Sequence, residues 1–450
     1  MNSQRKHESG QAIVLLALTM VVLLGFTALA IDGGMVYSDR RHAQNAADTA
    51  ALAGASAAGA IIQEGKVTIK TWSCQSILNA VTDIASDTAI HRAGSNGYTI
   101  TRSGPDNWVE VYCVDSGRDK YIYVRTYILR DTQTSFAHLL YGGPLQNRVE
   151  ASARVRPQAP IAIGDAVVAT NPLACSGNTN GLQFIGTSLT QITGGGAFTM
   201  GCLDVNGVGN QSSYIDAEGV IYMLDWDGTY ADKFINGPPV MGDPNNYQEE
   251  DMFIVPPPDC SGLTARTQPA GSSGTLLPGR YPRIRVGNNE TWTLEPGLYC
   301  LTNTPDALTM TGGSLTGIGV TIYASNGNIN LTGGTVELIA PCTKGDAEGT
   351  GGDPQSNLCD TTSYPDPAIS KVVLYSNKNI TFVGNGASLI TGMVYAPTGT
   401  VTFSGTTDIS PTLNTQIIGK NVLVGGTGRL VINYDEDNSY NKPAKLDMVR

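Results

Sequence analysis

Charged residues are scarce in this sequence, and the basic ones are outnumbered. Only 15% of the 450 residues are charged, and 28 Lys and Arg stand against 39 Asp and Glu, which gives a formal net charge of −11 at pH 7. Proteins that bind nucleic acid or an anionic membrane surface do so through basic patches. The charge balance therefore argues against both kinds of partner.

The sequence also lacks the motifs of common catalytic and metal sites. It contains no Ser nucleophile elbow, no phosphate-binding glycine loop and no metalloprotease helix motif. Its four histidines are scattered and no Cys-x-x-Cys occurs, so zinc binding is not expected. We therefore expect no cofactor and no enzymatic activity.

Acidic residues in the C-terminal part are the remaining candidates for catalysis or cation binding. The phrase at 225–228 resembles a calcium loop, but the further oxygen ligands and the closing Glu are missing. Since the predicted strands carry Thr, Asn, Ser and Gly rather than clustered carboxylates, a structural or solvated role is favoured. The candidates are Asp204, Asp216, Asp225, Asp227, Asp232, Glu249, Glu250 and Asp251.

An uncharged apolar run over residues 12–31 is the most prominent feature that the sequence does have. As a helix, a run of this length rises about 30 Å, the thickness of a bilayer's hydrocarbon core. Basic residues lie in the leader at 1–11 and Asp32 follows the run, which places the leader in the cytoplasm and the remainder outside it. One alternative is a signal peptide cleaved at a small-residue site formed by Ala28 and Ala30. Another is the buried core helix of a soluble protein.

An alanine-rich, proline-free segment at 32–60 continues the apolar run. Alanine is the strongest helix former, so one helix is predicted to extend from the membrane into solvent. This continuation favours a retained anchor over a cleaved signal peptide. Small residues at helical spacing form a stripe suited to close packing against partner helices. The stripe is Ala43, Ala46, Ala47, Ala50, Ala51 and Gly54.

The N-terminal sequence also carries a family resemblance. Gly10-Gln11-Ala12, the apolar run, Asp32-Gly33-Gly34, Tyr37, Arg40-Arg41 and the QNAADTAALAG phrase at 44–54 resemble the N-terminal domain of TadG-like proteins. These belong to the tight-adherence (Flp) pilus-assembly systems. The resemblance implies a membrane-anchored role in pilus assembly, with other pilin-like or Tad assembly proteins as partners of the helix.

The resemblance leaves two points open. Many TadG-like proteins end in a von Willebrand A-type domain with an Asp-x-Ser-x-Ser phrase, which this sequence lacks, so no function is carried over from that domain. Type IV pilin-like precursors are cleaved after a glycine before the apolar run, which makes Gly10 and Gln11 a possible leader-peptidase site. Such precursors usually have Glu five residues after the glycine, where this sequence has Leu15.

Residues 61–157 are predicted to form a pilin-like α+β module. Apolar residues at helical spacing predict a second helix over 76–92. Alternating β-branched and aromatic runs at 98–102, 108–114 and 121–129 predict an antiparallel meander, and 149–155 adds an edge strand. A cluster of prolines then marks a boundary near 157.

Residues 158–434 contain internal repeats. Tyr323, Tyr375 and Tyr395 occupy equivalent positions in similar segments, and the later copies recur about every 20–25 residues. Such a period predicts a parallel β-helix, a solenoid of stacked coils, and 182–196 is a further coil. Long loops are expected at 237–279 and 343–367, and a mobile tail at 435–450. The predicted fold class is thus α+β followed by all-β.

All eight cysteines follow the apolar run, which in an oxidising compartment favours disulfides. Eight cysteines allow 105 pairings, so the sequence does not fix the connectivity. Pairing of neighbours keeps each bridge within one predicted subdomain. It gives the pairs Cys74 with Cys113, Cys175 with Cys202, Cys260 with Cys300, and Cys342 with Cys359.

These observations predict a bitopic cell-membrane protein with its N-terminus in the cytoplasm and its C-terminal domains outside. Its expected role is structural or adhesive, associated with a Tad-type pilus or the cell surface, with a solenoid face that binds a glycan or surface protein. Two alternatives remain open. One is a secreted β-helix lyase or hydrolase acting on polysaccharide, and the other is a soluble adhesin released by cleavage.

Overall fold

A computed structural model of the protein divides into two compact units. Unit 1 is Met1–Ala159 with Lys442–Arg450, and unit 2 is Pro160–Asn441. The chain therefore passes from unit 1 into unit 2, and its last residues belong to unit 1 again. The structure describes residues 9–65, 67, 72–116, 119–139, 142–173, 175, 181–186, 189–206, 214–226, 231–242, 254–271, 273–343, 368–384, 388–405 and 412–449.

Unit 1 is built on helix α1 (Ser9–Glu64), which packs against α2 (Cys74–Ser95) and a sheet. The absence of proline and the many alanines let one helix continue through 56 residues. Helix α2 buries Ile77, Val81 and Ala85 and continues this face to Ala89 and Ala93, at the spacing of a helix with one apolar face.

The sheet of unit 1 has four antiparallel strands. Alternation of buried and exposed residues along β3 shows that one face meets the helices while the other faces solvent. The strands follow the order β1-β2-β3-β31. They are β1 (Trp108–Ser116), β2 (Asp119–Thr132), β3 (Leu145–Arg156) and β31 (Lys445–Val449).

Strand β31 corrects the prediction of a mobile tail at 435–450. Its residues pair with β3 from Ser152 opposite Val449 to Arg156 opposite Lys445. Leu446 packs against the core of unit 1, and a short 3-10 turn, Glu436–Asn438, precedes the strand. The polar composition of the tail suggested disorder, but an open sheet edge gives its backbone groups partners.

Unit 2 consists, in its described residues, of short strands and 3-10 turns. Its described 3-10 turns are Ile161–Gly164, Ala231–Lys233 and Glu436–Asn438, and unit 1 has one at Ala137–Leu139. The strands are β4 (Ala159–Pro160), β5 (Val167–Ala169), β6 (Gly181–Gly186), β7 (Thr190–Thr193), β8 (Ala197–Thr199), β9 (Cys202–Asn206), β10 (Ile215–Ala217), β11 (Ile221–Met223), β12 (Val240–Met241), β13 (Ser273–Leu276), β14 (Gly279–Tyr281), β15 (Ile284–Val286), β16 (Thr291–Leu294), β17 (Gly297–Leu301), β18 (Asp306–Met310), β19 (Ser314–Ile318), β20 (Val320–Ala324), β21 (Asn328–Leu331), β22 (Thr335–Ile339), β23 (Val372–Ser376), β24 (Ile380–Gly384), β25 (Leu389–Thr391), β26 (Met393–Gly405), β27 (Thr412–Asn414), β28 (Ile417–Gly426), β29 (Leu430–Asn433) and β30 (Asn441–Lys442).

Three parallel ladders organise the strands of unit 2. The first follows β10-β7-β29-β27-β25-β22-β19-β16-β13. The second follows β12-β11-β8-β5-β28-β26-β23-β20-β17-β14, and the third follows β9-β6-β28-β26-β24-β21-β18-β15. The long strands β26 and β28 contribute to both the second and the third ladder. Successive strands of the chain fall in different ladders, and their inward side chains share one apolar core.

The order of strands in the ladders differs from their order in the sequence. Strands β5, β6 and β7 pair with β28 and β29, near the other end of the chain in sequence. Val424 lies opposite Phe184, and Ile432 opposite Ile192. The segment at 182–196 therefore joins the same ladders as the repeats, as predicted, but it lies beyond the last repeat.

The second ladder is buried on both faces along its middle strands β17, β20 and β23. Strands β17, β20 and β23 are buried at every residue, because their outward side chains lie beneath the segment at 254–263. The backbone N–H of Val255 donates to the hydroxyl of Tyr395 at 3.2 Å, and the hydroxyl of Tyr375 donates to the Val255 carbonyl at 3.2 Å. This segment belongs to the loop predicted at 237–279, within which β12 and β13 also fall. Most of the loop predicted at 343–367 lies outside the described residues.

Candidate functional site

The first half of α1 presents an apolar surface that no described residue covers. Its large side chains between Ile13 and Leu29 are 54–71% exposed. The helix is long and apolar enough to cross a membrane, with a mean hydropathy of 2.7 in its most apolar window. Leucine, valine and isoleucine on every side of a helix are typical of a helix surrounded by lipid or by other apolar helices.

The predicted processing residues lie on this same helix. Gly10 and Gln11 fall in its first turn, and Ala28 and Ala30 fall in its continuous interior. Cleavage at either position stays a prediction.

Asp32 marks the point at which the exposed apolar segment meets the folded part of unit 1. Its side chain is 4% exposed and accepts hydrogen bonds from the backbone N–H groups of Ser135 at 2.7 Å and Phe136 at 2.9 Å, and from that of Ala137. Burial raises the pKa of Asp32, but these three donors outweigh it and hold the pKa below its usual value. The Asp32 carboxylate thereby fixes the loop at 135–137 to the helix.

The next turns of α1 are joined to the sheet by further polar contacts. The Thr132 hydroxyl donates to Asp39 at 2.9 Å, and Asn147 donates to the Val36 carbonyl at 3.3 Å. The Thr126 hydroxyl donates to the Ala47 carbonyl at 2.8 Å in the buried interior. These contacts hold one orientation of the helix on the sheet.

The predicted stripe of small residues is the buried face of α1. All six residues are buried and belong to the core of unit 1. At Gly54 the approach of α2 is closest, because a Cβ atom there would lie 2.7 Å from the Ala85 carbonyl oxygen and 2.9 Å from a methyl group of Val124. The stripe is thus buried within unit 1, where both α2 and β2 of the same chain meet it.

Other residues of the N-terminal motif remain on the surface of α1. Tyr37 is 70% exposed and Leu52 is 39% exposed, and Arg40, Arg41 and Asn45 are exposed as well. Tyr37, Arg41, Asn45 and Leu52 follow one another at roughly helical spacing and form a continuous strip. We call these four residues the outer strip of α1.

Disulfides join neighbouring cysteines. The pairs are Cys74 with Cys113, Cys175 with Cys202, and Cys260 with Cys300, with Cα atoms 5.6, 4.7 and 6.1 Å apart. These are three of the four pairs that neighbour pairing predicts. Cys342 is also disulfide-bonded, and its predicted partner Cys359 lies outside the described residues.

The acidic candidates of unit 2 are separated from one another where they are described. Asp204 accepts from the Gln183 amide at 2.7 Å, Asp216 from the Asn236 amide at 2.8 Å, and Asp225 from the backbone N–H of Cys175 at 2.7 Å. Asp232 pairs with Lys233 at 3.9 Å. The described residues contain no group of three metal-ligating side chains. Asp227, Glu249, Glu250 and Asp251 lie outside the described residues.

Hydroxyl side chains line the outward face of the first ladder of unit 2. Thr275, Thr293 and Thr316 are in register on three adjacent strands, and Thr293 and Thr316 have their hydroxyl oxygens 3.2 Å apart. A second row of hydroxyl side chains, also in register, lies next to it on the same face of these strands. We call both rows together the threonine surface, which consists of Ser273, Thr275, Thr291, Thr293, Ser314, Thr316 and Thr335.

Residues 10–57 match a family of proteins, Tad, described as "Putative Flp pilus-assembly TadE/G-like". The match covers the apolar segment, Asp32, the buried stripe and the outer strip of α1, and it confirms the resemblance seen in the sequence. The comparison with curated proteins found no match, and neither did the comparison with solved structures. The family match therefore concerns the N-terminal helix alone.

Proposed function

We propose that the protein is a bitopic membrane protein that acts as a structural component of Tad-type pilus assembly, with its N-terminus in the cytoplasm and both units outside. The observation that carries this proposal is the continuity of α1. Its exposed apolar half is long enough to span a bilayer, and its second half is the central helix of unit 1. The family match over 10–57 supports the link to pilus assembly.

Unit 1 is proposed to be a pilin-like module. A long helix packed on an antiparallel sheet leaves one helix face for contacts with other subunits. In unit 1 the stripe is occupied by α2, so the outer strip and the apolar half of α1 are the surfaces that we assign to partner helices. The partners would be pilin-like or Tad assembly proteins.

Unit 2 is proposed to be a parallel β-helix that serves as a binding domain. The three parallel ladders, the shared core and the in-register aromatic residues support this fold. The threonine surface offers rows of hydroxyl groups that can donate and accept hydrogen bonds, which suits a glycan or a surface protein. Because the described carboxylates are separated and engaged with neighbouring groups, we propose a binding role rather than polysaccharide cleavage.

The first test is the intact mass and N-terminal sequence of the mature chain from its native host, together with the fraction in which it is found. A start near Met1 or at Gln11 in the membrane fraction is expected. A start at Ile31 in the soluble fraction would refute the anchor and favour a released adhesin.

The contact with partner helices is tested by disulfide or chemical cross-linking in native membranes. Tyr37→Cys places a thiol on the outer strip and is expected to give an adduct with a second protein. Ala47→Cys places a thiol in the buried stripe and serves as the control, which should give none. Equal yields from the two variants would contradict the assignment of the outer strip.

A further inference from the structure

The coil that contains β13, β14 and β15, at one end of the three ladders, carries an open cavity of about 290 Å³ with two arginines in its wall. Arg266 and Arg280 line it together with Thr267, Tyr281 and Thr302. The cavity lies apart from the threonine surface, since Arg280 belongs to the second ladder.

Backbone pairing builds this wall. The N–H of Arg280 donates to the Thr264 carbonyl at 2.8 Å, and the N–H of Arg266 donates to the Arg280 carbonyl at 2.7 Å. The segment at 264–266 therefore continues the second ladder beyond β14. In β14, Gly279 and Tyr281 are buried, so Arg280 between them points outward.

The side chain of Arg266 is held in place. Its Nε donates to the Pro278 carbonyl at 2.8 Å, and a Cβ atom at Gly279 would lie 2.9 Å from this nitrogen. Glycine at this position thus lets the guanidinium lie against the backbone. The bond occupies Nε and leaves the two Nη groups as free donors among the described contacts.

Both arginines lack a carboxylate partner within 4.0 Å in the described part of the chain, although the protein as a whole is acidic. The charge of Arg266 also acts on Tyr281, another residue of the cavity lining. Burial raises the pKa of Tyr281, and the charge of Arg266 opposes this rise. These two guanidinium groups therefore leave charged N–H donors available to an anion at the cavity.

We propose that this cavity binds an oxyanion group, a carboxylate or a phosphate. Guanidinium groups bind such groups through paired N–H donors in a fixed planar geometry. The hydroxyl of Thr267 supplies a further donor at the cavity, whereas the hydroxyl of Thr302 donates to the Tyr281 carbonyl at 3.5 Å. This inference does not rest on the proposed function, because it concerns a different surface from both α1 and the threonine surface.

The test is calorimetric titration of the full-length protein in detergent with three probes: trigalacturonate, inorganic phosphate and neutral trigalactose. Saturable binding of either anion, without binding of trigalactose, is expected. Tighter binding of trigalacturonate would identify a carboxylate as the bound group, and tighter binding of phosphate would identify a phosphate. Saturable binding of neither anion would overturn the proposal.

A matched pair of variants separates a site from general charge attraction. Arg280→Gln is expected to weaken anion binding by roughly tenfold or more, since it removes a charge-assisted contact. Arg285→Gln removes the same charge from an exposed position on β15, outside the cavity, and should change the affinity by less than about twofold. Equal losses in both variants would overturn the proposal. If Arg280→Gln does not fold, Thr267→Val takes its place, and unchanged binding in that variant would overturn the proposal.

Discussion

Asp32 is the residue at which the exposed apolar segment of α1 is tied to the rest of unit 1. Its carboxylate accepts hydrogen bonds from three backbone N–H groups, which stabilise the charged form over the protonated form. Because the folded-state pKa lies below the usual 3.8, Asp32 contributes stability above that pH, and the contribution is lost as the pH falls through the folded-state pKa.

The corresponding prediction is that Asp32→Asn lowers the thermal midpoint of unit 1 at pH 7 and that the deficit relative to the natural chain shrinks in acid. The amide offers one acceptor oxygen where the carboxylate offers two. Thermal unfolding in detergent at pH 7 and pH 3 measures the effect. Asp83→Asn is the control, because Asp83 is 81% exposed and pairs with the exposed Arg102, so little change is expected. A deficit that stays the same at both pH values would argue against the role of charge.

Gly54 is the residue that sets the distance between α1 and α2. Gly54→Ala should destabilise unit 1 by about 1–3 kcal/mol, since the new methyl group meets the Ala85 carbonyl and Val124. The matched control is Gly34→Ala on the same helix, where nothing lies within 4 Å of the added atom. There the higher helix propensity of alanine should stabilise the helix by up to about 1 kcal/mol. Denaturant unfolding followed by tryptophan fluorescence distinguishes the two, and opposite signs are expected.

At the scale of secondary-structure elements, local patterns in the sequence predicted the second helix and three of the four strand segments of unit 1. Helix α2 and strands β1 to β3 enclose the segments predicted at 76–92, 108–114, 121–129 and 149–155. The strand predicted at 98–102 is wrong, since only a bridge between Thr101 and Trp108 forms there, and the segment at 149–155 lies inside the sheet rather than at its edge. Tyr323, Tyr375 and Tyr395, equivalent in the repeats, are in register on adjacent strands. Such features depend on residues close in sequence, whose periodicity is directly readable.

Features that depend on distant partners were not predictable in this way. The small residues at Ala43–Gly54 predict a packing surface for partner helices, but the sequence does not say that α2 and β2 of the same chain bury it. The role of Asp32 requires the loop at 135–137, and the anchoring of β31 requires the open edge of β3. The cavity at Arg280 arises from pairing with the segment at 264–266, which carries no strand pattern.

A testable prediction about a single element concerns strand β31. Leu446 packs against the core of unit 1, whereas Met448 is 39% exposed on the same strand. Leu446→Ala should therefore lower the stability of unit 1 by roughly 1–2 kcal/mol, because it removes partly buried apolar surface. Met448→Ala should change it by less than about 0.5 kcal/mol. Hydrogen exchange of the β3 amides measures both, and equal effects would mean that the strand contributes only backbone pairing.

At the scale of the whole molecule, the order of strands in unit 2 makes its early residues depend on its late ones. The Gln416 amide donates to the Ile161 carbonyl at 3.0 Å, and the Asn171 amide donates to Asn421 at 2.8 Å. Strands β5 to β7 are paired on one side by β28 and β29. Until those strands are made, the edge of β5 to β7 has unpaired backbone groups and an uncovered apolar core, both of which favour unfolding.

This dependence predicts the behaviour of two truncated chains. A chain ending at Gly405 lacks β27 to β31, and its residues 161–206 should be cleaved rapidly by a low concentration of protease. A chain ending at Lys442 lacks only β31, so it keeps β28 and β29 and should protect 161–206 as the full-length protein does. Limited proteolysis in detergent with mass-spectrometric mapping makes the comparison. Equal protection of 161–206 in both chains would show that the early coils are stable without the late ones, against the pairing that the structure shows.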